Sequence, residues 1–150
     1  MIALASDHGG YELKQAVIAR LKERGLEYKD FGTYSLDSCD YPDFAYPAAQ
    51  AVASGECDRG VVICTTGIGI SITANKVRGI RCGLCMNVTM ARLTREHNDA
   101  NMLAMGAGIT GRNEAMDILD TFLDTPFSEG VNHVRRIGKI AAIEEEIAKG

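Results

Sequence analysis

Val61-Val62-Ile63-Cys64-Thr65-Thr66-Gly67-Ile68-Gly69-Ile70-Ser71 is the stretch on which the fold turns. Three β-branched residues and a cysteine in an unbroken apolar run read as a strand buried on both faces. Thr65 to Ile70 then reads as a glycine loop, and Ser71 to Lys76 as the start of a helix. A buried strand that passes through a glycine turn into a helix is the building unit of a parallel sheet with crossover helices.

The same unit recurs on both sides of this stretch. Upstream, Ile2 to Ser6 is a short apolar strand running into Asp7-His8-Gly9-Gly10. Tyr11 to Arg24 carries Leu13, Ala16, Val17 and Leu21 near helical spacing, and Gly25 is placed to close the helix. Leu26 to Phe31 is a second strand, more polar and so nearer an edge; a loop leads to Pro42, and a helix covers Asp43 to Ser54. Downstream come a fourth strand (Ile80 to Cys85), a helix (Val88 to His97), a fifth strand (Met102 to Met105) and a helix (Asn113 to Leu123). Beyond Pro126 a tail becomes helical from Val134 to Ala148. No repeat, low-complexity segment or long linker divides the chain, so residues 1–150 are expected to form one domain. The expected fold is α/β and Rossmann-like: a doubly wound five-stranded parallel sheet in order 2-1-3-4-5, with helices on both faces and a C-terminal helix.

That order locates a site. Ligands of open α/β sheets bind beyond the carboxyl ends of the strands where the winding reverses, here between the first and third strands. The residues at those two ends are Asp7-His8-Gly9-Gly10 and Cys64-Thr65-Thr66-Gly67, the most reactive group of side chains in the sequence. A cysteine closing a strand before a helix N-terminus has its thiol pKa drawn from about 8.5 toward neutrality, which suits a base that removes a proton beside a carbonyl. The glycine loop lacks the Gly-Lys-Ser/Thr ending of a P-loop and the third glycine of a dinucleotide fingerprint. Its amides suit a developing oxyanion, of which an enediolate is the natural example, with the Thr66 hydroxyl as a further donor. Asp7 reads either as a helix N-cap or as part of an acid–base group, and His8 either as a surface histidine or as an anion contact.

Two further clusters lie downstream. Arg95-Glu96-His97-Asn98-Asp99-Ala100-Asn101 ends the fourth helix, where His97 either caps the helix or serves a site. The fourth strand carries that helix away from the first, so a two-fold partner would be needed to bring His97 to Cys64. Asn132-His133-Val134-Arg135-Arg136 is a basic run that is either a solvated helix start or a phosphate contact.

Composition removes several classes of function. A chain that is 46% hydrophobic and 24% charged with a net charge of −4 is globular and has no basic nucleic-acid footprint. No apolar run reaches the roughly 18 residues of a membrane helix, and Asp7 interrupts the N-terminal run too early for a signal peptide, so a cytoplasmic protein is expected. Five cysteines, at 39, 57, 64, 82 and 85, give no disulfide framework. Cys82 and Cys85 lie three apart on a strand and so face opposite sides, which argues for packing over a shared zinc.

Taken together, Ser6-Asp7-His8-Gly9-Gly10-Tyr11, Asp40-Tyr41-Pro42, Ile63 to Ser71, Ala74-Asn75-Lys76 and Arg95 to Asn101 resemble the ribose-5-phosphate isomerase B family and its sister galactose-6-phosphate isomerase subunits. The resemblance covers essentially the whole chain. It implies an aldose–ketose isomerase of the pentose phosphate type, free of metal and cofactor, working as a homodimer with shared active sites; pairing of dimers into a tetramer stays open. Cys64 would move the proton between C1 and C2 of ribose 5-phosphate and ribulose 5-phosphate, and His97 of the partner would help open the sugar ring. Asp7 would lie near the sugar hydroxyls, and His8 and Arg136 near the phosphate. Asn98 and the loop residues Thr65, Thr66, Gly67, Ile68 and Gly69 would surround the enediolate. Two positions depart from the family pattern: Gly108 and Asn132 stand where arginines are usual. Arg112 or Arg135 could replace those contacts. Otherwise the substrate is another sugar or sugar phosphate, a tetrose or hexose, or the chain is a non-catalytic sugar-phosphate-binding regulator.

Overall fold

The apolar runs form five parallel strands in the computed structural model, which describes residues 1–150: β1 (Ile2–Ser6), β2 (Tyr28–Asp30), β3 (Arg59–Cys64), β4 (Cys82–Leu84) and β5 (Met102–Gly106). Six helices alternate with them or follow: α1 (Tyr11–Glu23), α2 (Pro42–Ala53), α3 (Ile68–Asn75), α4 (Val88–Asn98), α5 (Arg112–Asp124) and α6 (Val131–Lys149). Strand residues alternate between two apolar layers. Ile2, Leu4, Val61, Ile63, Leu103 and Met105 pack against α1, α4 and α5. Ala3, Ala5, Val62, Cys64, Met102 and Ala104 pack against α2 and α3. Each large side chain buried this way stabilises the fold by about 1.5–3 kcal/mol, so the sheet is held from both sides. Gly25 ends α1 with φ +68°, the left-handed conformation expected of a glycine just past a helix.

The sheet order is β2-β1-β3-β5-β4, which corrects the expected 2-1-3-4-5 at its last two positions. Burial explains the exchange. All five residues of β5 are buried, so β5 takes the interior place beside β3. All three residues of β4 are only partly buried, which suits an edge. The side-chain amide of Asn75 covers that edge, accepting from Cys82 N at 2.8 Å and donating to Cys82 O at 3.0 Å. The order also sends α4 to the α1 face rather than the α3 face, as right-handed crossovers require.

Two boundaries shift as well. α3 begins at Ile68 rather than Ser71, because Gly67 adopts φ +79° and turns the chain into the helix three residues sooner. α6 begins at Val131 and so carries His133 within its first turn. Cys82 packs on the α2/α3 side and Cys85 on the other, so the pair is split across the sheet. Burial pushes both thiols up, Cys85 to about 12. No helix is long and apolar enough to cross a membrane.

Candidate active site

Ser6 pairs with Ile63 in the β1–β3 register, so the next residues out, Asp7 and Cys64, leave the sheet side by side. Parity puts both on the α2/α3 face, since Ala5 and Val62 belong to that layer. Cys64 is 5% exposed, and its Sγ accepts the Gly67 amide at 3.1 Å, so the sulfur is held toward its own loop. Asp7 is 7% exposed and its Oδ1 accepts from Gly10 N at 3.0 Å. The N-cap reading of Asp7 is therefore correct, for the short 3-10 turn His8–Gly10, and it occupies only one of the carboxylate oxygens. The turn and the thiol loop touch at Gly9, where a Cβ would lie 2.2 Å from Thr65 Oγ1.

The loop and the first turn of α3 form the floor. Thr66 Oγ1 accepts from Ile68 N at 3.2 Å, and Ser71 N donates to Gly67 O. Gly67, with no side chain to cap the helix, leaves the amides of Gly69 and Ile70 directed outward from the N-terminus of α3. Ile68 is 53% exposed, beside them. The corrected sheet order contributes here: β5 continues along the loop, with Ala107 N donating to Cys64 O at 2.9 Å and Gly108 N to Thr65 O at 2.8 Å.

A cavity of about 430 Å³ opens at this end of the sheet, between the 3-10 turn and α5, lined by Gly9, Glu12, Thr65, Gly108, Thr110 and Arg112 among others. It reaches Thr65 but stops short of the thiol. Cys64, Asp7, His8, Thr65, Thr66, Gly67, Ile68 and Gly69 thus share one end of the sheet as a half-open site.

His97, Asn98 and Arg136 do not share it. α4 returns antiparallel to the strands, so His97 and Asn98 lie near the amino end of β5, while Cys64 pairs with Gly106 at the carboxyl end. The four residue steps of β5 separate those ends by about 13 Å of strand. At the amino end a second cluster forms. His97 stacks on His133 with ring centroids 4.2 Å apart and planes 15° from parallel. Ser128 ties the segment before α6 to the end of α4, its hydroxyl donating to Glu96 O at 2.6 Å. Arg136, one turn after His133, helps hold the His133 imidazole below the usual histidine pKa; burial contributes most, then His97, then Arg136. Asn98 lines a separate cavity of about 380 Å³ with Asn75, Arg81 and Glu144.

Three contacts at this end of the sheet are not encoded by the periodicity of the sequence. Cys39 N donates to His8 Nδ1 at 3.2 Å, the Tyr41 ring covers Gly69, and Lys14 lies wholly buried beneath the loop after β2. Asp40-Tyr41-Pro42 is visible as a motif, but no spacing tells that the loop carrying it folds back over α3. The side chains form no group of three or more His, Cys, Asp or Glu that could hold one metal ion.

The chain matches the family described as Ribose/Galactose Isomerase over residues 2–140. It is 46% identical over 144 residues to ribose-5-phosphate isomerase B of Escherichia coli strain K12, covering 96% of each chain. Its structure superposes on ribose-5-phosphate isomerase B of Clostridium thermocellum with a TM-score of 0.95 at 55% identity, covering 97% of this chain and 98% of that one. The Mycoplasma genitalium enzyme with bound ribulose-5-phosphate gives a TM-score of 0.93 at 38% identity, covering 97% and 96%. A Rossmann-like sheet with this arrangement at its switch point defines the class as an aldose–ketose isomerase of sugar phosphates. The chain belongs to the ribose/galactose isomerase family.

Proposed function

We propose that the chain interconverts ribose 5-phosphate and ribulose 5-phosphate, with Cys64 as the base. The thiolate removes the hydrogen on C2 of the open-chain aldose, and the freed electron pair forms the C1=C2 bond while O1 becomes the oxyanion of an enediolate. The O2 proton passes to O1, C2=O2 re-forms, and the thiol returns its proton to C1. A positioned base of this kind is worth on the order of 10²–10⁴ in rate. The carrying observation is the position of Cys64 Sγ: at the end of the central strand, bonded to Gly67 N at 3.1 Å and followed by the uncapped first turn of α3. Amides and a helix N-terminus aimed at one place suit the enediolate oxygen. Asp7, beside Cys64, suits a sugar hydroxyl.

The reading includes a homodimer. The His97–His133–Arg136 cluster belongs functionally with the phosphate and ring oxygen, yet it lies at the opposite end of its own sheet. A second copy related by a two-fold axis supplies it, because an isologous contact exchanges the two ends reciprocally. α6 supports this: none of its 19 residues is buried, and Val134, Ile140, Ile143 and Ile147 are all at least 45% exposed. An apolar stripe of that length calls for a partner surface.

A second reading keeps the chemistry and changes the sugar. The cavity beside Thr65 favours it, because the absent side chain at Gly108 leaves room there and Arg112 stands at its wall. A longer or differently placed phosphate fits that space.

The deciding assay is exchange of solvent deuterium into C2 of ribose 5-phosphate. Wild type is expected to exchange and Cys64→Ser to lose exchange by about 10³-fold. Undiminished exchange in Cys64→Ser removes the sulfur from the mechanism.

A further inference from the structure

We propose that Lys14 is a positioning residue, which ties the root of the 31–41 segment to the carboxyl end of β1 and thereby fixes His8 in its Nε2-protonated form at the site. The inference rests on the isomerase reading for its kinetic arm only.

Lys14 has no exposure at all, which no other charged side chain of the chain matches. Burying an ammonium is unfavourable unless its protons are used, and an apolar residue of similar volume is generally tolerated better at such a place. Burial lowers the lysine pKa, partly offset by Asp30. Its protons are indeed used: Nζ donates to Asp30 Oδ1 at 2.6 Å and to Thr33 O at 2.5 Å. The Tyr11 and Tyr34 rings flank it at 5.8 and 5.4 Å. Both acceptors belong to the chain just leaving β2. Asp30 Oδ1 also accepts from Gly32 N at 2.9 Å, and the Tyr34 hydroxyl donates to Asp30 O at 2.9 Å.

That knot is bonded to the residue before Asp7. Ser6 N donates to Gly32 O and Thr33 N donates to Ser6 O, each at 2.7 Å. From there the segment runs outward, and between Tyr34 and Cys39 its bonds to the protein beyond β2 all go to His8 Nδ1: Cys39 N donates to it at 3.2 Å, and Cys39 Sγ lies 3.9 Å from it. It then re-enters the body where Tyr41 lies over Gly69. The ammonium thus fixes one end of a span that grips His8 near its other end.

The grip has a chemical consequence. A ring nitrogen that accepts an amide proton carries none of its own, so the His8 proton is on Nε2, as a donor for a phosphate or hydroxyl oxygen. Loss of the grip frees the ring to take either tautomer and several rotamers. Because the donor is lost for bound substrate and transition state alike, the effect falls on KM more than on kcat.

The test uses the full-length protein labelled with ¹⁵N-histidine, read by long-range ¹H–¹⁵N correlation, with His8→Gln to assign the signal. Wild type is expected to show His8 as the single Nε2-protonated tautomer. Lys14→Met and Asp30→Asn are expected to mix the tautomers and raise KM for ribose 5-phosphate about tenfold, with kcat held within about threefold. Cys39→Pro, which deletes the amide proton, should reproduce the effect, Cys39→Ala should not, and Lys14→Met added to Cys39→Pro should add nothing further. Arg20→Met, which breaks an ion pair of the same helix with Asp120, should destabilise the fold and leave His8 and KM unaltered. A wild-type His8 spectrum in Lys14→Met or Asp30→Asn overturns the proposal, as does an altered one in Arg20→Met. Should Lys14→Met fail to fold, Asp30→Asn and Cys39→Pro decide the same question. The tautomer is read without turnover, so failure of the isomerase reading does not obscure it.

Discussion

His97 and His133, thirty-six positions apart, stack at 4.2 Å between ring centroids and join the start of α6 to the end of α4. The planes lie 15° from parallel, so the rings meet face to face. His133 sits below the ordinary histidine value because of burial, then His97, then Arg136. A base whose folded pKa is depressed binds its proton more readily unfolded, so its favourable contribution is complete above about 6.5 and is lost as pH falls through the lower folded value. Protection factors for amide exchange over residues 131–136, taken relative to the intrinsic rate at each pH, are therefore expected to fall as pH drops below about 6.5. Titration by NMR should place the His133 midpoint under that of a free imidazole, and His97→Ala should raise it. A His133 midpoint unmoved by His97→Ala would separate the two rings energetically.

Gly67→Ala tests the thiol loop. With φ +79°, Gly67 is in the left-handed region, and a Cβ there would lie 2.5 Å from Leu84 Cδ1 and 2.8 Å from the Met105 carbonyl carbon. The first neighbour can rotate away, but the second is backbone of a central strand and cannot. Strained backbone of this type costs about 1–3 kcal/mol before any clash is counted. Denaturation should show Gly67→Ala destabilised by at least that amount, and activity should fall further than stability because the loop carries the amide bonded to Cys64 Sγ.

The thiol end of this site is legible in the sequence because its parts are local: a strand, its last residue and the glycines that follow. Asp7 and Cys64 meet there simply because β1 and β3 are neighbours in any doubly wound order that starts 2-1-3. The exchange of β4 and β5 is harder to read, since both strands are short and both are partly apolar. Yet a signal exists: Met102-Leu103-Ala104-Met105 has no polar residue, whereas Arg81 and Gly83 interrupt the other run. Lys14 was hidden for a different reason. A lysine in the first turn of an amphipathic helix ordinarily reaches water, and only the return of the chain after β2 supplies the acceptors that bury it. The link from His8 to Cys39 depends on the same irregular segment, whose path no periodicity encodes.

Asp120 makes the acid end of the stability profile predictable. It receives Arg20 Nη2 at 2.7 Å and Arg24 Nη1 at 3.0 Å, joining α1 to α5. The Arg20 hydrogen bond, more than that of Arg24, holds its carboxyl below the usual carboxylate range against the opposing effect of burial. The depressed value means that the stabilisation is present above about pH 3.9 and is lost as pH falls through the folded value. Asp120→Asn should cost about 1 kcal/mol at neutral pH, the upper end for a solvent-touched pair. Urea denaturation at about pH 2 should show the variant and wild type alike.

The choice between ribose 5-phosphate and a different sugar phosphate turns on Gly108. A Cβ built there would meet Thr65 Cγ2 and Thr65 O at 3.1 Å each, close contacts that a small movement of the Thr65 side chain relieves only in part. An arginine at 108 would extend into the cavity that Glu12, Thr110 and Arg112 line, filling the space and adding a cation. If ribose 5-phosphate is the working substrate and places its phosphate in this cavity, Arg112 serves it, and Gly108→Arg gains little. If a longer sugar phosphate is, Gly108→Arg should block it while tightening ribose 5-phosphate, by about 10- to 100-fold for one charge-assisted hydrogen bond of about 1.5–3 kcal/mol. Initial rates of wild type, Gly108→Arg, Asn132→Arg and Arg112→Gln across tetrose, pentose and hexose phosphates separate these cases. With the ribose 5-phosphate anion in this cavity, Arg112→Gln raises its KM by about tenfold or more. An Arg112→Gln variant indifferent to every phosphate on the panel would take the cavity out of substrate binding altogether, leaving the anion to the His97–His133–Arg136 cluster of the second copy.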